Sequence, residues 1–151
     1  MDTMKTILVA VDFSDVTDAV VKAAEAQALA SHAVVNIVHV SLSEPNYVGY
    51  GATPVYNVDV VEKKVENETK KLESIATGLR EKGIEARSEL LEGPISDTLM
   101  TEFDKGDYDM IIMGSHGHGA LFNLVVGSVT NALLHHAKVP VLVVPSSPKK
   151  K

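Results

Sequence analysis

Apolar residues along this chain come in short blocks, separated by longer stretches with helical spacing. Ile7 to Val11 (ILVAV) is nearly unbroken, the pattern of a strand buried on both faces. After Asp12, Ser14 and Asp15 the chain becomes Ala-rich as far as Ala30, and Ala19, Val20, Ala23, Ala24 and Ala28 share one helical face. Ser14 or Asp15 is the expected N-cap of that helix. Val34 to Val40 (VVNIVHV) predicts a second buried strand. Ser41 to Tyr56 carries Pro45, Gly49, Gly51, Pro54 and three tyrosines, and reads as a long loop, a lid over a ligand or a connector. From Asn57 to Lys82 the positions Val58, Val61, Val65, Leu72, Ile75 and Leu79 recur at helical spacing. They predict one long amphipathic helix, ended by Gly83.

The next block has a different rhythm. Ile84, Ala86, Ser88 and Leu90 alternate with Glu85, Arg87 and Glu89. Alternation means one wet face, so this strand belongs at a sheet edge. Gly93-Pro94 turns the chain into a short helix, Ile95 to Phe103. A strand follows from Asp109 to Met113, then a helix from Ser128 to His136 and a last strand from Val139 to Val144. Strictly alternating strands and helices predict an α/β fold: a five-stranded parallel sheet with helices on both faces and right-handed crossovers. Residues 1–145 are expected as a single domain, and 146–151 as a disordered tail. In such a doubly wound sheet, ligands sit beyond the carboxyl ends of the strands where the winding reverses, between the first and fourth strands.

Composition narrows the function classes. The chain has 151 residues, 45% hydrophobic and 23% charged, as an ordinary globular protein has. A formal net charge of -6 argues against nucleic acid or an anionic membrane as partner. With no Cys, a thiol nucleophile, a disulfide framework and a Cys-based zinc site are excluded. The start, MDTMKTILVAVDFSD, lacks the shape of a signal peptide, and no run approaches the ~20 apolar residues of a membrane span. A cytoplasmic protein is the expectation.

The strangest stretch is GSHGHGALFNLVVGSVTNALLHH, residues 114–136. It opens where the fourth strand ends, opposite Asp12 at the end of the first. Glycines let backbone approach a ligand closely, and unpaired N–H groups in such a loop cradle anions. Gly127-Ser128 starts a helix whose first amides point outward with partial positive charge. Together they suit a phosphate. Asp12 across the cleft would repel phosphates unless it met a sugar hydroxyl, a base or a cation. An adenine or ribose contact is favoured, with Mg²⁺ as a bridge. The plainer reading is that Gly117 and Gly119 are ordinary loop glycines and Gly127 a simple helix start.

The spacing Gly114-x-x-Gly117, nine residues, Gly127-Ser128 resembles the nucleotide-binding signature of the universal stress protein family. ILVAVDFSD, IVHV, GPISDTL and GSVTNALLHHAKVPVLVVP resemble further parts of that family's domain, and the likeness runs from Lys5 to Pro145. The resemblance implies an adenine nucleotide alpha hydrolase-like, Rossmann-like sandwich with strand order 3-2-1-4-5. It also implies the ATP-binding branch of the family, and a homodimer through the last strand, Val141 to Val144. By matched position, Asp12 and the backbone near Val11 would contact adenine or ribose, and Val40 would line the adenine pocket. Met113 and Gly114 would lie against the nucleoside, and Gly117, Gly127, Ser128 and Val129 would hold the phosphates. Residues His118 to Val126 include no Lys or Arg. Phosphate charge would thus fall to dipoles, to His116 or His118, or to metal, and ADP or AMP stand beside ATP.

The remaining residues have bland readings. His39 is expected as a satisfied core histidine, and His135 and His136 as favourable charges at a helix C-terminus. Glu62, Lys63, Lys64, Glu66, Lys70 and Lys71 are expected as a solvated helix face. For function, a nucleotide-binding stress or regulatory module with a protein partner stands first. A slow ATPase or phosphotransferase has little support: the chain has no P-loop motif and no evident catalytic residues. A nucleotide-free dimeric interaction module is a further alternative. A flavodoxin-like electron carrier ranks low, because its phosphate loop would fall on the acidic, glycine-free Asp12-Phe13-Ser14-Asp15.

Overall fold

The computed structural model describes residues 4–42, 46–47, 54–55, 58–115 and 127–146. The elements run β1 (Thr6–Ala10), α1 (Thr17–Ser31), β2 (Val34–Ser41), β3 (Asn46–Tyr47), β4 (Pro54–Val55), α2 (Val58–Glu81), β5 (Ala86–Glu92), α3 (Ile95–Lys105), β6 (Met110–Gly114), α4 (Ser128–His136) and β7 (Val141–Val144). Five strands form one parallel sheet in the order β5-β2-β1-β6-β7. Counting those five alone, the order is 3-2-1-4-5, as expected. The alternating strand β5 lies at one edge and β7 at the other.

Side chains on successive strand positions point to opposite faces, and each face gets its own core. Ile7, Val9, Val35, Ile37 and Ile112 pack with Val20, Ala24 and Ala28 of α1 and Leu72, Ala76 and Leu79 of α2. Leu8, Val38, Ile111 and Met113 pack with Leu99 and Phe103 of α3 and Leu133 of α4. The second face also buries a polar chain. Asn36 Nδ2 donates to Tyr108 Oη at 2.7 Å, and that hydroxyl donates to Glu102 Oε1 at 2.9 Å. Burial first, and then the Glu102 carboxylate, push the Tyr108 phenol up to about 12, against the opposing Asn36 bond.

Several sequence expectations shift, each for a local reason. The expected caps of α1, Ser14 and Asp15, do not cap it: Val16 holds that position and no side-chain bond closes it. The side chain that acts is Asp12, whose Oδ1 accepts the Ser14 amide at 2.9 Å and builds a turn one step earlier. The long loop contains a short antiparallel pair, β3 with β4; the rest of the Tyr47–Tyr56 segment lies outside the described residues, as does the tail from Ser147. Strand β5 begins at Ala86 because Ile84 still serves α2, its amide donating to Leu79 O at 3.2 Å. Gly83 supplies the left-handed turn there, with φ of 84°. Strand β7 begins after Pro140, which has no N–H to give a ladder. Gly93, at φ of 136°, turns β5 into α3 with no room for a side chain, since a Cβ would meet Thr98 Oγ1 at 2.6 Å.

Candidate functional site

The cleft arises from strand lengths. The β1–β2 ladder ends at Ala10↔Val38, yet β2 runs on to Ser41 with only β5 beside it. On the other side β1 last pairs at Val9↔Ile112, while β6 runs on to Gly114 beside β7. The short central strand thus leaves a notch at the carboxyl end of the sheet. A cavity of about 1160 Å³ opens over it, somewhat larger than the roughly 300–1,000 Å³ usual for small-molecule sites.

Val11, Asp12, Val40, Met113, Gly114, Gly127, Ser128 and Val129 all line this one cavity. His116 and Gly117, also expected here, lie outside the described residues, with Gly119. Val11, Val40 and Met113 are buried and give the cavity an apolar floor. Asp12 leaves β1 with one carboxylate oxygen committed to its own turn. Phe13 follows in a left-handed conformation, φ 61°, which costs a non-glycine residue on the order of 1–2 kcal/mol. Its ring lies 4.4 Å from that of His39, and Lys71 Nζ sits 5.2 Å from its centroid.

The two ends of the glycine segment are tied together. Ser115 N donates to Val144 O at 2.9 Å, and Gly127 N donates to Ser115 O at 2.8 Å. Thr130 Oγ1 donates to Gly114 O at 2.8 Å and is buried. These bonds pin the start of α4 against the end of β6. The Gly127 N–H is spent internally, whereas Ser128, Val129 and Thr130, first in the helix, have no carbonyl one turn back in α4. The first turn of α4 carries no acidic residue, so the partial positive charge of the helix start is unopposed there.

One wall was not foreseen. Lys63, Lys64, Asn67, Glu68 and Lys71 of α2 border the same cavity. Their spacing of three and four marks one face of the helix. Lys63, Lys64 and Lys71 were expected as part of a solvated face. They are exposed, as expected, but they also bring three cations to a cleft whose glycine segment has none between His118 and Val126. His39 is satisfied, as expected, by Val11 O at 2.8 Å and Glu68 Oε2 at 2.7 Å, yet it too lines the cavity. His136 ends α4 as expected, and its Nε2 lies 2.8 Å from Asp104 Oδ1 of α3. Among the described residues no helix is long and apolar enough to cross a membrane.

Comparison with known proteins places this geometry. A sequence model of the universal stress protein family matches residues 3–145. A universal stress protein of Mycolicibacterium smegmatis is 33% identical over 143 residues, 91% of this chain and 47% of that protein. Universal stress protein A homolog 1 of Coxiella burnetii is 32% identical over 142 residues, covering 93% of this chain and 95% of that one. The chain thus spans about half the length of the first relative and nearly all of the second. Among solved structures, UspA of Lactobacillus plantarum shares the fold with a TM-score of 0.78 at 20% identity, over 95% of this chain and 99% of that one. A universal stress protein in complex with cAMP superposes with a TM-score of 0.67 at 20% identity, over 97% and 100%. One from Archaeoglobus fulgidus in complex with dAMP gives 0.61 at 23% identity, over 95% and 98%.

Proposed function

The chain belongs to the universal stress protein family, and from that premise we propose that its cleft binds an adenine nucleotide, ATP foremost, with ADP and AMP as shorter occupants. One observation carries the reading: an apolar floor, the Asp12 carboxylate at the end of β1 and an uncapped, acid-free helix start border one cavity at the notch over β1. In this reading the base lies against Val40 and Met113, and Asp12 meets the sugar. The phosphates lie at the amides of Ser128 and Val129 beside the Ser128 hydroxyl. His116 and Gly117 complete the phosphate side. Two proteins of the same fold hold cAMP and dAMP, which supports an adenine nucleotide as the class.

Mg²⁺ enters with the phosphates. Among the described residues no group of three or more acidic or histidine side chains is placed to hold a metal. Asp12, with one oxygen already accepting from Ser14, offers a cation at most one carboxylate. Lys63 and Lys71 of α2 supply further countercharge, while Lys64 Nζ is held by Leu42 O and Glu68. The output we propose is regulatory: occupancy of the cleft is read by a protein partner in the cytoplasm. A second copy of the chain pairs along β7. Its Val141 to Val144 are apolar, half-buried and at the sheet edge, and such an edge favours pairing with another chain.

Gently purified protein, denatured and analysed by mass spectrometry, should release ATP, ADP or AMP. The same preparation, incubated with ATP and Mg²⁺, should hydrolyse it slowly or not at all. A flavin in the released fraction, or rapid multiple turnover, would replace this reading with an electron carrier or an ATPase. Light scattering on the native protein should give the dimer mass, and Val143→Pro, which removes one edge N–H of β7, should give the monomer.

A further inference from the structure

His39 does more than fill the core. Its side chain is 13% exposed and that of Glu68 9%. A carbonyl oxygen only accepts, so the 2.8 Å contact between Nδ1 and Val11 O puts a hydrogen on Nδ1. The opposite ring nitrogen lies 2.7 Å from Glu68 Oε2. That contact holds the imidazole edge against the Glu68 carboxylate. Glu68 Oε1 in turn accepts from Ser41 Oγ at 3.2 Å. Helix α2 is therefore tied, through one imidazole, to the last carbonyl before Asp12.

That carbonyl matters because of its neighbours. The Val11 amide already donates to Val38 O at 3.0 Å. With His39 on the carbonyl, both backbone polar groups of Val11 are held, and the Val11–Asp12 peptide plane is fixed. The same imidazole contacts the ring of Phe13, whose left-handed backbone directs the chain away from the strand. His39 thus touches the peptide before Asp12 and the side chain after it.

We propose that His39 is a positioning residue for the nucleotide cleft: its Nδ1–H holds the Val11–Asp12 peptide so that the Asp12 carboxylate meets the ligand, and Glu68 fixes the ring in that orientation. This rests on the nucleotide reading of the cleft.

Two substitutions separate the roles of the ring nitrogens. Asn carries its amide nitrogen near the place of Nδ1, and Gln near that of Nε2. ATP affinity is measured by calorimetry on the wild type, His39→Asn and His39→Gln, with circular dichroism as the check on folding. His39→Gln should bind about tenfold more weakly, the worth of one directed hydrogen bond. His39→Asn should stay within about threefold of wild type, although it too loses Glu68. Equal affinities for the two variants, or wild-type affinity in His39→Gln, would overturn the proposal. A wild type that binds no ATP would overturn the cleft reading and this one with it. Should either variant fail to fold, nitrogen NMR of the histidine rings in the ligand-free wild type decides. A hydrogen on His39 Nδ1 is expected, and a bare Nδ1 would refute the tether.

Discussion

Helices α1 and α4 begin in equivalent places, each beside the carboxyl end of a central strand at the rim of the cleft. Neither start is capped by a side-chain hydrogen bond. The chemistry around them is opposite. Helix α1 follows Asp12 and Asp15 and carries Asp18 in its first turn. Just ahead of it Ser14 N donates to Asp12 Oδ1, and its first amide, Thr17 N, donates to Ser14 O. Helix α4 follows Gly127 and has no acid in its first turn. The fold offers two helix starts, and in the proposed reading the residue types at each assign the anion to α4 and a neutral or cationic group to Asp12.

This contrast can be broken at either end. The largest effect is expected from Gly127→Val. Gly127 has φ of -60°, which any residue adopts, so the backbone is not strained, and the residue lines the cavity in which the nucleotide is proposed to sit. Gly114→Val acts on the same wall. Either variant should lose roughly 100-fold or more in ATP affinity by calorimetry while its melting temperature stays near that of wild type. Next comes Ser128→Asp, which makes α4 resemble α1. An acid at an exposed helix start stabilises the helix by about 0.3–1 kcal/mol, yet it repels phosphate. Affinity should fall roughly tenfold as thermal stability holds or rises, and a parallel loss of both would contradict the contrast.

Asp12→Asn should keep the turn, because an amide oxygen also accepts from Ser14 N. It should weaken the nucleotide about five- to tenfold, the difference between a charged and a neutral hydrogen bond to a sugar hydroxyl or base. Lys71→Ala should cost only about two- to fourfold, and more at low salt than at high salt, as expected of an exposed cation. Tyr108 is a control remote from either helix start. Its raised folded value means that the stability it contributes is fully present below pH 10 and is lost as pH rises toward about 12. Thermal melts across that window should drop for the wild type more steeply than for Tyr108→Phe, with ATP affinity at neutral pH unchanged.

What the sequence conceals here is mostly polar. The buried strands announce themselves through blocks such as ILVAV and VVNIVHV, and Gly127-Ser128 marks the α4 start to the residue. The role of Asp12 in its own turn is invisible, because a carboxylate after a strand looks the same whether it caps, turns or binds. The lysines of α2 occupy a face that periodicity marks only as polar. Nothing local tells that this face borders a cleft and not bulk water. Thr130, which ties α4 to Gly114, reads as an ordinary helix residue. The β3–β4 pairing escapes because two-residue strands carry no period. His39 is legible as satisfied, but its partner Glu68 lies 29 residues away on another element, and only the fold brings them together.

The central claim is that α4, and not α1, receives the phosphates. Backbone amide NMR during titration with ATP tests it residue by residue. The account predicts the largest shifts at Ser128 and Val129, with further shifts at Gly114, Val40 and Asp12, and smaller ones at Thr17 and Asp18. Shifts concentrated at the start of α1, with Ser128 and Val129 unmoved, would contradict it.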